Sequence, residues 1–333
     1  MGASQTRTSP IKRKLKRAYR RFISPTRRAS VHLATEVGER ISAAAAADTA
    51  ASGNPRWSQL RVRYVFDTDC LDGARIPLTW WTDAPNFGDL LGPWLVGRMT
   101  GSAVQAAKGS RPHFVTVGSI IGRSTAESVV WGSGSFGSER NSAFHPKARY
   151  TAVRGPLTRS RLMDLGMDCP EVYGDPALLA PMYFAPEVPV THRIGVIVRH
   201  SENRWRQLDL GDGVTLIDFS TEDVDGTIRQ ILACEQILSS SLHGLVIADA
   251  YDIPNAWLAS DRSLGGSRPN GGEYKYLDYF ASVEKLRRPV TVELWNGMTA
   301  GDLENQVGFD DRPTRWDPEP LLDACPFMVR LEA

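Results

Sequence analysis

Three consecutive serines, Ser239, Ser240 and Ser241, stand between two apolar runs of different rhythm. Before them, Ile231 to Leu238 is largely apolar, with Cys234 and Ile237 among its members, and is predicted to be a strand. After them, Leu242-His243-Gly244 opens a run through Ala250 whose apolar residues fall at helical spacing. A strand that runs straight into a helix constrains the chain to an α/β sheet, and in open sheets of that kind ligands bind outside the carboxyl ends of the strands. The first N–H groups of such a helix are unpaired and carry partial positive charge, which favours an anion. His243 is therefore placed to move a proton beside an anion site. The competing reading is a histidine that only caps or packs.

The same grammar runs through the rest of the chain. Pro77 to Trp81 is predicted to be a strand leading into a helix that carries Leu90, Leu91, Trp94, Leu95 and Met99. Asn86 is placed to cap that helix, and Gly88 to let a ligand approach the backbone. Asp89 in the first turn either complements the helix dipole or orients and deprotonates an acceptor hydroxyl. Two further buried strands are expected at 113–121 and 128–131. The glycine loop after them, Gly132 to Gly137, formally matches G-x-G-x-x-G. No helix pattern follows it, and the next strand, Tyr150 to Val153, ends in Arg154 rather than an acid. NAD binding is excluded on that ground, and a tight loop facing a ligand is expected. Arg154 precedes Gly155-Pro156, a helix start, and is placed to hold a carboxylate or phosphate; a surface Arg bonding a carbonyl is the alternative. Asp175 either holds the following loop or faces the cleft.

Residues 181–189 carry three prolines and read as an interdomain linker. Beyond it come a buried strand from Arg193 to Val198 delivering Arg199 and His200, a strand at 214–219, a helix at 221–232 capped by Thr221, a strand at 255–258, a glycine-rich loop at 265–272 and a helix beginning at Lys275. Two runs of alternating strands and helices imply two parallel sheets facing a cleft, a favoured place for a small molecule. Asp67-Thr68-Asp69 has the D-x-D form by which many nucleotide-sugar enzymes hold a metal, but the turn signal at Leu71-Asp72-Gly73 favours a hairpin turn there. No metal is expected.

Four motifs occur in order: Asn86-Phe87-Gly88-Asp89-Leu90, Ala152-Val153-Arg154-Gly155-Pro156-Leu157-Thr158, Tyr173-Gly174-Asp175-Pro176-Ala177-Leu178-Leu179 and Ser240-Ser241-Leu242-His243-Gly244. Together they resemble the polysaccharide pyruvyl transferase family, most of all its succinoglycan-type bacterial members, over roughly Pro77 to Phe280. The resemblance implies two Rossmann-like domains in a GT-B-like arrangement. It also implies phosphoenolpyruvate as donor substrate, with no separate cofactor, and a sugar or lipid-linked oligosaccharide as acceptor. His243 and Asp89 are the candidate catalytic residues. Arg154, Arg199, Asn86, Gly88, Asp175, Ser240, Ser241, Gly244 and Lys275 are the candidate substrate-binding residues. Many family members carry Arg two residues before the His, where this chain has Ser241; Lys275 is the candidate for the missing charge. Two other functions are compatible with the same pattern: a GT-B glycosyltransferase using a nucleotide sugar, and a non-catalytic membrane-associated subunit of polysaccharide assembly.

Charge is unevenly spread. Lys and Arg number 39 and Asp and Glu 38, but ten of the basic residues fall within 1–30, which hold no acid, so the remainder carries a net −9. That acidity argues against nucleic-acid binding by the body. Ile11, Leu15, Tyr19 and Phe22 fall at near-helical spacing within the basic arm. An anionic membrane surface, a solvated disordered arm, a nucleic-acid tail and an organellar transit peptide all fit that pattern. The four cysteines are far apart and lack metal-ligand spacing, as expected of reduced residues in a cytoplasmic protein, with peripheral attachment to the inner membrane face as the further expectation. The expected division is an arm and Ala-rich linker at 1–55, an N-terminal Rossmann-like domain at 56–185, a second at 186–300, and a C-terminal extension with a terminal helix at 301–333.

Overall fold

A computed structural model describes residues 35–47, 63–84, 86–108, 111–199, 202–259 and 271–331. The basic arm, His200 and most of the loop at 265–272 lie outside the described residues.

Two parallel sheets organise the chain. The first holds five strands, β2 (Ile76–Thr79), β3 (Val104–Ala106), β4 (His113–Val115), β5 (Ser128–Trp131) and β6 (Arg149–Ala152), in the order β3-β2-β4-β5-β6. The second holds β7 (His192–Val198), β8 (Val214–Asp218), β9 (Cys234–Ser239) and β10 (Asn255–Trp257), in the order β10-β9-β7-β8. All pairings within both sheets are parallel. Their strands read as apolar runs because both faces are covered. The strand at 113–121 is shorter than the sequence suggests: β4 stops at Val115, and Ile121–Arg123 form a 3-10 turn.

The sheets are joined through α2 (Phe87–Thr100), which starts after β2, and α5 (Val224–Leu232), which starts after β8. Helix α2 is apolar on nearly every side because it lies between layers: Leu90, Leu91, Trp94, Leu95 and Val96 are all buried. Phe87 packs tilted against Phe219 at 4.4 Å between ring centroids, and its N–H donates to the Phe219 carbonyl at 2.8 Å. The Trp94 indole N–H and the Arg98 guanidinium both donate to Asp225, at 2.6 and 2.8 Å. Asp223, not Thr221, caps α5, because its carboxylate reaches the Gly226 N–H at 2.8 Å. Helix α5 runs on to Leu232, so Ile231 and Leu232 belong to it and β9 begins only at Cys234.

Two expectations about the chain ends are corrected. The Ala-rich segment is not only a linker: residues 35–47 form helix α1, and its Val37 and Ala45 are buried in the main core. Those positions and Ile41 recur every four residues, giving one apolar stripe. The stripe fits closely, since a side chain at Gly97 of α2 would come within 2.4 Å of the Ser42 carbonyl. The second concerns Asp67-Thr68-Asp69. It is a turn, with the Asp67 carboxylate accepting from the Asp69 N–H at 2.9 Å, but not the tip of a hairpin. The preceding strand β1 (Arg63–Phe66) pairs antiparallel with β11 (Met328–Leu331) at the far end of the sequence. The C-terminal segment thus returns to the first sheet, where Phe327 sits edge-on to Phe114 and Trp131 at 5.4 and 5.3 Å.

Candidate active site

Helix α2 and helix α6 (Leu242–Ala250) each begin at the carboxyl end of a strand, one in each sheet, and their first turns meet. The contact is tight at one point: a Cβ on Gly88 would lie 2.4 Å from Nδ1 of His243. Gly88 is therefore glycine because the His243 imidazole lies over it, not because a ligand must approach the backbone there. Asn86 caps α2 as expected, its carbonyl oxygen accepting from the Asp89 N–H at 3.2 Å, while its amide donates to the Asp89 carboxylate.

Asp89 sits in this junction. Burial pushes its carboxyl up to about 6, against the opposing pull of His243, the Asn86 hydrogen bond, Lys275 and Arg123. Lys275, in the first turn of α7 (Tyr274–Ser282), lies in the same neighbourhood. Burial lowers its ammonium to about 7, and Arg199 and Arg154 lower it further, while Asp89 and Glu202 act the other way. Its Nζ lies over the rings of Tyr276 and Phe136, at 5.1 and 5.8 Å, and has no hydrogen-bond or ion-pair partner among the described residues. The Lys275 head is surrounded by protein yet keeps access to solvent.

His243 presents its other nitrogen to Asp175. Nε2 lies 3.7 Å from Oδ2 of Asp175, whose side chain is wholly buried. The second Asp175 oxygen accepts from the Ala177 N–H at 3.1 Å, capping the 3-10 turn Pro176–Leu179. Of the two sequence readings of Asp175, the loop-holding one is met by Oδ1, while the buried Oδ2 faces the histidine.

The arginines are placed differently from expectation. Arg154 is fully buried and its guanidinium is already engaged. Nε and Nη2 meet Oδ2 of Asp278 at 3.1 and 3.0 Å, Nη1 donates to the Ser119 hydroxyl at 2.6 Å, and Nη2 to the Ser135 carbonyl at 2.7 Å. The same carboxylate accepts from the Thr158 N–H at 2.9 Å, so Asp278 occupies the N-terminus of helix α3 (Pro156–Asp164) where a ligand anion was expected. The glycine loop faces this arginine rather than a ligand: a Cβ at Gly134 would lie 2.3 Å from the guanidinium carbon. Arg199 pairs with Glu202 at 3.0 Å, and its N–H donates to the same carboxylate and to the Ser240 hydroxyl.

Ser240 in turn donates to Glu202 at 2.5 Å and is buried, so it does not offer its hydroxyl to a phosphate. Gly244 is also structural, since a Cβ there would lie 2.3 Å from the Ser239 hydroxyl. Ser241 begins α6 with its own hydroxyl unbonded among the described residues and half-open to solvent. What converges at the surface of this junction is therefore His243, Asp89, Lys275 and Ser241, backed by Asp175, with the Arg154 and Arg199 ion pairs behind. Sequence reasoning missed Asp278, Glu202 and Arg123. Only Asp278 left a trace: it falls three residues after Lys275, which places both on one face of α7.

A profile described as polysaccharide pyruvyl transferase matches residues 129–262. An uncharacterized protein of Acanthamoeba polyphaga mimivirus is 30% identical over 178 residues, which are 51% of this chain and 60% of that protein. The succinoglycan biosynthesis protein ExoV of Rhizobium meliloti (strain 1021) is 27% identical over 229 residues, 64% of this chain and 66% of its own. The chain thus spans less than two thirds of the length of these relatives. A functionally uncharacterized protein from Klebsiella pneumoniae subsp. pneumoniae NTUH-K2044 superposes with a TM-score of 0.40 at 10% identity, covering 66% of this chain and 93% of the other, a likeness too loose to carry an argument.

Proposed function

We propose, on the premise that residues 129–262 belong to the polysaccharide pyruvyl transferase family, that this chain transfers a pyruvyl group from phosphoenolpyruvate to two hydroxyls of a sugar. The acceptor would be an exopolysaccharide or its lipid-linked precursor, held between two Rossmann-like halves in a GT-B-like manner. The observation that carries the reading is the meeting of the α2 and α6 amino termini at His243, with Asp89 and Lys275 beside it. Two helix amino termini and an unpaired ammonium suit a donor with a phosphate and a carboxylate.

In this reading His243 delivers a proton to the methylene carbon of phosphoenolpyruvate, making the central carbon an oxocarbenium-like electrophile. One sugar hydroxyl adds to that carbon, losing its proton to Asp89. The second hydroxyl then replaces the phosphate: the bond from the central carbon to the bridging phosphate oxygen breaks, and phosphate leaves with that hydroxyl's proton, while the proton on Asp89 resupplies His243. One proton ends on the new methyl group and one on the phosphate, so the two hydroxyl protons are accounted for. Asp89 suits the role because a carboxylate lifted to about 6 is basic enough to help and still ionised near neutrality.

The deciding experiment offers the protein phosphoenolpyruvate and, separately, nucleotide sugars, with a pyruvate-free polysaccharide or its lipid-linked precursor as acceptor. Phosphate release with a pyruvyl mass gain on the acceptor is expected. Turnover with a nucleotide sugar instead would make the chain a glycosyltransferase, and no turnover with any donor would leave it a non-catalytic subunit.

Lys275 supplies the first mutational test. A hydrogen bond to a charged group is worth about 1.5–3 kcal/mol, so Lys275→Met should raise the donor KM by roughly ten- to a hundredfold. In the unmodified protein kcat/KM for the donor should fall as pH rises through about 7, where the ammonium is lost. Lys275→Arg should move that fall to higher pH. An unchanged profile in Lys275→Arg removes Lys275 from donor binding.

The basic arm is proposed to hold the chain at an anionic membrane surface, on its ten basic residues and lack of acids within 1–30. Deleting 1–30 should then reduce co-sedimentation with phosphatidylserine vesicles, in a salt-sensitive way, while turnover on a soluble acceptor is kept. Equal co-sedimentation of both forms would sink the proposal.

A further inference from the structure

Two buried polar atoms at the junction face each other with no hydrogen-bond partner among the described residues: Oδ2 of Asp175 and Nε2 of His243. They lie 3.7 Å apart, beyond hydrogen-bond length but with nothing else to bond among the described residues. Leaving two such atoms unsatisfied is costly, and the cost is relieved when one carries a hydrogen directed at the other. The carboxylate has no hydrogen to give when ionised, so the hydrogen belongs on Nε2. The other face of the ring is fixed by Gly88, over which Nδ1 lies.

We propose that Asp175 is the positioning carboxylate of an Asp175–His243 pair, holding the imidazole with Nε2–H toward the protein and Nδ1 toward the reacting substrate. The pair rests on the reading of His243 as the proton-transfer group, and adds which nitrogen exchanges the proton and what holds it. Hydrogen bonds of this kind are often long in a ligand-free site and shorten when the substrate is bound. Asp175 from the loop after β6 faces the ring and Asp89 from α2 interacts with it; Lys275 from α7 and Arg123 act on Asp89 in turn, and the Arg199–Glu202 pair after β7 acts on Lys275. Asp175 differs from the others in being fully buried and committed through its second oxygen to the Ala177 N–H. That commitment fixes which oxygen faces the histidine.

It also makes Asp175→Asn informative. The amide oxygen must stay on the Ala177 N–H, so the NH2 group faces Nε2. It would donate to Nε2 and force the ring hydrogen onto Nδ1, the wrong tautomer for the reaction. The experiment uses the full chain labelled with ¹⁵N-histidine, with the His243 signals assigned by their loss in His243→Gln. The expected neutral tautomer of the unmodified protein is Nε2–H. In Asp175→Asn it should switch to Nδ1–H.

Turnover should fall about a hundredfold or more with little change in donor KM, the split expected when proton transfer rather than binding is lost. The tautomer of the unmodified protein is read without any variant, so a poorly folded Asp175→Asn does not block the test. An Nδ1–H tautomer in the unmodified protein, or an Nε2–H tautomer retained in a folded Asp175→Asn, overturns the pair. Because the magnetic resonance readout needs no donor, it stands or falls apart from whether phosphoenolpyruvate is the substrate.

Discussion

His243→Gln lowers turnover by about 10²–10⁴-fold, the usual contribution of a proton-transfer side chain, while the folded protein and its donor KM change little. Gln is the informative replacement because it keeps a polar planar group where the His243 ring lies against Gly88. The expectation follows from position rather than from residue type. His243 lies at the start of α6, between Asp175 and Asp89, and is 13% exposed, so it can reach a ligand but is shielded enough to be held in one orientation. A steady-state assay of phosphate release, with circular dichroism to verify the fold, checks it. Near-full turnover in His243→Gln would take the histidine out of the chemistry and leave Asp89 and Lys275 as the acting groups.

Much of the fold was legible because parallel strands are buried on both faces and are punctuated by the glycines, prolines and caps that start helices. The strand ends at Thr79, Trp131, Ala152, Val198 and Ser239 fall within two residues of where the apolar runs stop. Less legible was the start of β9, because apolar residues buried from a helix look like those buried from a strand. Ile231 and Leu232 close α5 and yet continue the run into Cys234. The pairing of β1 with β11 left no local mark at all, since its partners stand at opposite ends of the sequence.

The site was legible at its strand ends and misread at its partners. The motifs singled out His243, Asp89 and Asp175, which lie at one junction. They gave no sign that the Arg154 site was already filled, because the filling carboxylate belongs to a helix more than a hundred residues later. Gly88 and Gly134 both looked like openings for a ligand, and both are cut to fit a side chain of this protein, His243 in one case and Arg154 in the other. A glycine marks close approach without saying of what.

Asp278→Ala is expected to destabilise the protein by about 3–5 kcal/mol, the cost of leaving one member of a buried ion pair without the other. Both side chains of the Arg154–Asp278 pair are fully buried, so water cannot replace the lost carboxylate. The Thr158 N–H and hydroxyl lose their acceptor in the same step. Against a typical stability of about 5–15 kcal/mol, such a loss is visible as a large fall in the urea midpoint. The double variant Arg154→Met with Asp278→Leu removes both charges together, and should recover part of the loss, since an apolar pair can replace a buried ion pair at little cost. A single variant within about 1 kcal/mol of the unmodified protein would mean that the pair is not holding α7 in place. The functional consequence travels along that helix. Lys275 and Asp278 lie one turn apart on the same face, and Tyr276 between them donates to the Ser240 carbonyl at 2.6 Å. Helix α7 is thus tied to α3 through Asp278 and to the start of α6 through Tyr276, and those two ties set where the Lys275 ammonium points. In a partly stabilised Asp278→Asn, which keeps an acceptor for Thr158, the donor KM should rise more than kcat falls, because the displaced group is the one assigned to binding. A fall in kcat with the donor KM unchanged would instead tie α7 to the His243 side of the chemistry.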